Sequence, residues 1–319
     1  MNLKPLLAAA SAAAIVAACA TTSATSAVTP SRIAADTLMR HVSVLAADSM
    51  EGRLIGTQGN ARARAYVARE LAAAGAQPIG ASLEVPFAVP NPRDSSVRHG
   101  VNVVGQIRGR TTPDRYLVVT AHHDHVGIRN GQVYNGADDD ASGTAAIIEL
   151  ARWFSAHPPE HSIIFATFDG EEGGLSGSRA FVQQPPVPLS HIVLNVNLDM
   201  VGRNTRNELY AAGTSHYGSL RTYLDSVAAR APITLRLGHD DPNGPRHDDW
   251  TMQSDHASFH RAGIPFVYFG VEDHPDYHQP TDDTERLMPA FYAGAVSTVL
   301  DAVQVLDRNL DAIAAARSR

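Results

Sequence analysis

Apolar residues along this 319-residue chain recur with two alternating periods. Ile33, Leu38, Val42 and Leu45 fall at helical spacing and predict an amphipathic helix over 33–46. A second helix is predicted over 62–74, with Gly75 as its stop signal. Between the two lies the glycine-containing loop Glu51-Gly52-Arg53-Leu54-Ile55-Gly56. Runs rich in β-branched residues at 101–107 and 116–121 read as strands, and the second is nearly continuous, as a strand covered on both faces is. A helix over 141–157, a strand over 161–168, a helix near 175–183 and a strand over 192–198 follow. Next come a strand at 209–212, a helix over 216–230 and a polar loop over 238–250. A short helix over 256–262, a strand over 265–271 and a long closing helix over 285–317 complete the pattern. Strands alternating with helices predict an α/β three-layer sandwich with a mixed, largely parallel central sheet. The longest candidate insertion is the 238–250 loop and there is no internal repeat, so residues 32–319 are expected to form a single domain.

The first residues break this pattern. Lys4 gives a weakly positive start, and 6–18 is small or apolar apart from Ser11, too short for a membrane-spanning helix. The run ends in Val16-Ala17-Ala18-Cys19, which resembles a bacterial lipoprotein signal. Residues 1–19 are therefore expected to be an export signal, 20–31 a flexible tether, and Cys19 a lipid anchor and the only contact with a membrane. The expected location is the periplasm or cell envelope, with plain secretion as the alternative. Cys19 is the only cysteine and Lys4 the only lysine, so a disulfide, a thiol nucleophile, a cysteine metal ligand and a catalytic lysine are all excluded from the mature domain. Lys+Arg 26 against Asp+Glu 33, with no basic run, argues against nucleic acid as a partner.

The chemistry gathers at strand ends. Asp169-Gly170-Glu171-Glu172 follows the apolar run 162–168, and adjacent carboxylates repel unless a cation neutralises them. His122 and Asp124, two apart at another strand end, face the same side of the sheet. Asp124 is the natural orienter of His122, since a ligating histidine donates its other N–H to an acceptor. His123 and His125 read as satisfied or surface histidines. Asp138-Asp139-Asp140 opens a predicted helix; capping explains one or two of these acids, and metal binding is assigned to the first, Asp138. Asp199 ends a further strand, and Tyr277-His278 adds another candidate ligand. Together these predict a hydrolase with two metal ions.

These motifs occur in order: Ala121-His122-x-Asp124, Gly136-Ala137-Asp138-Asp139-Asp140-Ala141-Ser142-Gly143, Glu171-Glu172-x-Gly174-Leu175-x-Gly177-Ser178, Asn197-x-Asp199-Met200-x-Gly202, Ser254-Asp255-His256 and Tyr277-His278. In this order they resemble the M28 family of metallopeptidases, the dizinc aminopeptidases. The resemblance implies the zinc-peptidase type of phosphorylase/hydrolase-like sandwich and two Zn2+ per chain, with other divalent metals accepted too. It implies Asp138 as the bridging ligand, His122 and Asp199 completing one metal, and Glu172 and His278 completing the other. Glu171 would be the general base, Asp124 the partner of His122 and Tyr277 a donor to the oxyanion. It also implies a cis peptide bond between residues 138 and 139. The sequence departs from the family pattern after His278, where Asp282 is followed by Asp283 before Thr284.

The activity implied is release of N-terminal residues from peptide substrates by metal-activated water. One rival is a single-zinc glutaminyl cyclase, which shares the Asp-Gly-Glu-Glu motif but departs at the segment matching residues 138–143. A non-catalytic binding relative is another, although every ligand position and the base are present. A serine hydrolase is excluded, because Gly174-Leu175-Ser176-Gly177-Ser178 lacks the final glycine of a nucleophile elbow. Met200, Phe259, Tyr268 and Phe269 are candidates for an apolar pocket or for the core. The acids and histidines of 239–249 either select a basic side chain or stay solvated.

Overall fold

The computed structural model describes Met1, residues 31–90 and residues 96–317. The expected export signal with Cys19, and the tether up to residue 30, lie outside the described residues. Helix α1 (Ala35–Leu45) buries Leu38, Val42 and Leu45, the stripe seen in the sequence. Helix α2 (Gln58–Ala73) starts earlier than its apolar pattern, because the Thr57 hydroxyl caps it by accepting from Asn60 N. Strands β1 (Glu84–Pro90), β2 (Val97–Ile107) and β3 (Thr112–His122) follow, then the small hairpin β4 (Gly127–Arg129) and β5 (Gln132–Tyr134). Helix α3 (Gly143–Ala156), β6 (His161–Phe168), α4 (Ser176–Gln183) and β7 (Ile192–Leu198) build the centre. The chain continues through β8 (Glu208–Ala212), α5 (Arg221–Ala228), β9 (Thr234–Leu237), α6 (His256–Arg261) and β10 (Phe266–Gly270). It closes with α7 (Pro289–Arg308) and α8 (Leu310–Arg317).

The main sheet has the order β1-β2-β6-β3-β7-β10-β8-β9. β6, β3, β7 and β10 run parallel at its centre, while β1, β2 and the β10–β8 pair are antiparallel. Period-two alternation divides each central strand between two layers. Ile163 and Phe165 of β6 pack with α1, α2, α3 and α7, whereas Ile164, Ala166 and Phe168 pack with α4 and α6. Each of these isoleucines and phenylalanines stabilises the fold by about 1.5–3 kcal/mol through burial, so two apolar faces fix the register of every central strand.

The edges were not legible in the sequence. β1 carries Pro86 and Pro90, which an edge strand tolerates because one side of its ladder is unpaired, and β9 is only four residues long. The closing helix begins at Pro289, whose ring disfavours helix in the residue before it, and breaks at Asn309.

A buried polar tie joins three helices of the larger layer. Tyr66 of α2 bonds His41 Nδ1 at 2.7 Å, and His41 Nε2 lies 3.1 Å from Glu149 Oε1 of α3. Burial opposes ionisation of Glu149, but its bonds to His41 and Arg152 outweigh this and hold its carboxyl below the ordinary 4.5. A carboxyl lowered by folding contributes stability above its unfolded pKa and loses it as pH falls through the folded value. Glu149→Gln is therefore expected to cost about 1–3 kcal/mol at neutral pH, with the deficit shrinking below pH 4.5. Urea unfolding of both proteins at pH 7 and pH 3.5 measures it, and an equal deficit at both would show that the charge of Glu149 is immaterial.

Candidate metal centre

The four parallel strands end on the same edge of the sheet, and each delivers a candidate ligand there. β3 ends in His122, the turn after β6 carries Glu171 and Glu172, β7 leads into Asp199, and the loop after β10 carries His278. Crevices beyond the carboxyl ends of parallel strands are the usual ligand sites of such sheets. The fifth candidate comes from the segment before α3, where residues 137–142 form an irregular turn with Asp139 at φ −102° and ψ 99°.

This turn corrects one assignment. Asp139, not Asp138, faces the histidines. Asp139 Oδ1 lies 3.2 Å from His122 Nε2, and Asp139 Oδ2 lies 3.0 Å from His278 Nε2. The carboxylate of Asp138 points elsewhere, accepting from Gly202 N at 2.7 Å and lying 3.1 Å from His274 Nε2. Asp140 is equally occupied, accepting from the backbone N–H groups of His122, Gly143 and Met200. The cis peptide bond likewise joins Asp139 and Asp140 rather than residues 138 and 139. Two features place the turn. Gly136 has φ +55°, and a Cβ there would meet Asp139 O at 2.1 Å. Asp282 accepts from Asp138 N and Asp139 N, each at 3.1 Å. Asp282 thus fills the position four after His278 that the family pattern reserves for aspartate, so the departure at Asp283 leaves it intact.

Asp199 Oδ1 is 3.6 Å from His122 Nε2, and Glu172 Oε2 is 3.1 Å from His278 Nε2. Zinc bonds of about 2.0–2.1 Å in a tetrahedron place neighbouring ligand atoms about 3.3 Å apart, close to all four of these separations. Two groups of side chains come close enough to hold an ion, His122 with Asp140 and Asp199 and His125 with Asp139 and Glu172, and Asp139 also reaches His122. A third histidine was missed: His125 is fully buried, with Nδ1 2.7 Å from Glu172 Oε1 and 3.7 Å from Asp139 Oδ2. Neither of its ring nitrogens, nor Glu172 Oε1, has a properly directed hydrogen-bond partner among the described residues. Buried orphaned donor atoms of this kind fit a metal. The electrostatics agree. Burial opposes ionisation of Asp139, but His125, His122 and His278 hold it well below the usual carboxylate range. Burial also opposes charge on His278, which Asp139 and Glu172 nevertheless push up to about 10.

Asp124 serves two segments. Its backbone carbonyl is 3.1 Å from His122 Nδ1 and its carboxylate 3.6 Å, while Asp124 Oδ1 accepts from Glu171 N at 3.0 Å. It therefore orients His122 chiefly through the main chain and ties that strand to the Glu171 turn. Burial, together with Asp255, Asp199 and Glu172, raises the Glu171 carboxyl well above its ordinary range despite the opposing His122. Tyr277 stacks on His278 with ring centroids 4.0 Å apart.

A cavity of about 40 Å³ joins His122, Asp139, Glu171, Asp199, Tyr277 and His278 to an apolar wall of Met200, Trp250, Tyr268 and Val271. Phe259 and Phe269 are core residues. Much of the 238–250 loop is tied up within the protein, to itself and to neighbouring turns. Asp240 accepts from Gly213 N and Ser215 N, Asp248 lies 2.6 Å from His239, and Asp249 accepts from Thr251 N. His239 stacks on Trp250 at 3.8 Å, so the loop's contribution to the cavity is an aromatic wall. A larger cleft of about 390 Å³, between Trp153 and Arg308, lies at the opposite end of β6, and among the described residues no three metal-ligating side chains there, His157, Glu160 and Asp307 included, converge on one point.

The model of Peptidase family M28 matches residues 102–303. The chain belongs to this family. Among its relatives, aminopeptidase YwaD of Bacillus subtilis is 33% identical over 201 residues, 58% of this chain and 40% of that protein. A probable zinc metalloprotease of Pyrenophora tritici-repentis is 29% identical over 212 residues, 56% of this chain and 47% of that one. This M28 chain thus spans less than half the length of these curated relatives. Its fold is shared with the zinc aminopeptidase BSAP of Bacillus subtilis at TM-score 0.66 and 18% identity, covering 86% of this chain and 96% of that one. It is also shared with Porphyromonas gingivalis glutaminyl cyclase at TM-score 0.69 and 19% identity, covering 85% and 97%.

The neighbouring aspartates are expected to separate cleanly. Asp139→Asn should leave the purified M28 protein unable to hold metal through dialysis, whereas Asp138→Asn should weaken binding and retain measurable metal. Elemental analysis after dialysis decides, and the reverse order would return the assignment to Asp138.

Proposed function

We propose that the protein is a dinuclear zinc exopeptidase that removes N-terminal residues from peptides. The observation that carries this reading is the pair of Asp139 oxygens, one facing His122 and the other facing His278. In this reading His122 and Asp199 complete one seat, Glu172 and His278 complete the other, and Asp139 bridges them. Zinc held there would acidify a water to a pKa of about 7 and polarise the scissile carbonyl. Glu171 is adjacent to Glu172 but faces no ring nitrogen of its own. Its raised carboxyl suits a group that takes a proton from the attacking water and returns it to the leaving amine. Tyr277 stays a phenol, because burial and the surrounding carboxylates raise its pKa, and so can donate to the developing oxyanion. Trp250, Met200, Tyr268 and Val271 would receive the side chain of the N-terminal residue. We further propose residues 32–319 as one catalytic domain, exported and tethered at Cys19.

The fold does not choose between peptidase and cyclase, since both kinds of neighbour superpose on it. Zinc content and product do. The protein is expected to bind two zinc ions, hydrolyse aminoacyl-p-nitroanilides and leave their N-acetyl derivatives intact. Glu171→Gln should keep both metals and lose about 100- to 10,000-fold in kcat. One zinc per chain, with cyclisation of N-terminal glutamine and no hydrolysis, would replace this reading with the cyclase.

A further inference from the structure

The largest fully buried side chain among the described residues is a cation with no part in the chemistry above. Arg53 has no exposure. It enters the interior from a tight turn in which Glu51, Gly52 and Arg53 all have positive φ, of 54°, 63° and 51°. Gly52 is required there, because a Cβ would stand 2.5 Å from Tyr134 O and 2.6 Å from Gly127 O. Every acceptor the guanidinium reaches is a backbone carbonyl. Nε donates to His123 O at 2.9 Å, Nη1 to Leu45 O at 2.8 Å and to Asn135 O, and Nη2 to Gly136 O at 2.9 Å and Asp139 O at 3.5 Å.

Apart from Leu45 O at the end of α1, those carbonyls belong to the two segments that must meet for metal to bind. His123 follows the ligand His122 in β3, and Asn135, Gly136 and Asp139 form the turn that presents the Asp139 carboxylate. The main chain of Arg53 adds a further link, its carbonyl accepting from His125 N at 3.3 Å and from Asn60 Nδ2 at 3.1 Å. A planar fork with five fixed donors sets relative positions in a way a single ammonium does not. Burying an unpaired charge is costly. Asp139, Asp124, Asp282 and Asp140 lie close enough to favour the charged form without contacting it, which leaves every donor free for the main chain.

We propose that Arg53 is the positioning residue of the metal centre, locking the Asp139 turn to the end of β3 so that both seats are formed before metal arrives. This rests on the reading of Asp139 as the bridging ligand. A merely structural arginine would lower stability and leave the metal affinity of the folded protein alone. A positioning arginine changes that affinity, and the change is not recovered by restoring the charge.

The test uses the full chain with Arg53→Lys and Arg53→Gln. Zinc affinity is measured by competition with a chelator, beside the melting temperature of the metal-free protein and kcat and KM at saturating zinc. Both variants are expected to bind zinc about 10- to 100-fold more weakly, with kcat lowered and KM unchanged once zinc saturates. Zinc affinity within threefold of wild type in folded Arg53→Lys, with only the melting temperature lowered, would overturn the proposal and leave the reading of the site standing. Wild-type protein that binds no zinc would remove both. Where neither arginine variant folds, Asn60→Ala is compared with Asp169→Asn, because Asn60 Nδ2 donates both to Arg53 O at 3.1 Å and to Asp169 Oδ1 at 2.9 Å. A loss in zinc affinity at least threefold beyond that of Asp169→Asn supports the positioning role, and a loss no greater than that overturns it.

Discussion

Mutual repulsion among buried carboxylates is the constraint around which this molecule is arranged. Asp124, Asp138, Asp139, Asp140, Asp169, Asp199, Asp255 and Asp282 are all buried, and most gather at the carboxyl edge of one sheet. Like charges so close cannot all ionise in a low-dielectric interior unless opposite charge or directed dipoles meet them. The fold meets many of them with its own main chain. Asp140, Asp282, Asp138 and Asp169 each accept from at least one backbone N–H, which fixes loops while stabilising the charge. What remains is informative. Asp139, Asp199, Glu171 and Glu172 accept no backbone hydrogen bond among the described residues, and three of them face ring nitrogens instead. Backbone partners thus mark the loop-fixing carboxylates and facing ring nitrogens mark the metal candidates, while fully buried Asp255, whose oxygens have no properly directed hydrogen-bond partner among the described residues, belongs to neither set.

That division also explains how a site assembled from distant segments holds its shape. The Asp139 turn and the loop after β10 are joined twice, through Asp282 to the backbone of 138 and 139 and through Asp138 to His274. Arg53 joins the same turn to β3 from below. Ser254 and His256, part of a motif that looked chemical in the sequence, also serve placement. Asn197 donates to Ser254 Oγ, and His256 lies 2.9 Å from Trp250 O, which sets the wall of the cavity. Ligands therefore stand on strand ends whose positions the two apolar layers determine, and a second set of polar residues fixes the loops between them.

The legible parts of the sequence were those governed by periodicity. The central strands at 161–168 and 192–198 and helix α1 matched their apolar patterns closely, because burial on both faces leaves little freedom. The edge strands were silent: β1 is interrupted by prolines and β9 is too short to show a period. In the site, His122, Glu172, Asp199 and His278 stood at ends of strands or in loops that the pattern located, and the structure brings them together. Arg53 and Asp282 were invisible in their roles. Their partners are main-chain groups, which no spacing of side chains reveals.

The run Asp138-Asp139-Asp140 shows where residue type stops being informative. Three identical side chains in succession differ only in direction, and direction is a property of φ and ψ. Read as the start of a helix, the run makes its first acid the plausible ligand and its later acids helix-end charges. The chain instead takes a left-handed step at Gly136 and stays irregular until Gly143, where α3 begins. This sends Asp138 to the 200–202 loop, Asp139 to the histidines and Asp140 back to the main chain of β3. A helix opened at Asp138 would have gathered all three into one turn, where capping and the helix dipole satisfy only one or two of them. Spreading them over three directions allows each its own partner, and the acid sent to the histidines is the one whose two oxygens face different ring nitrogens.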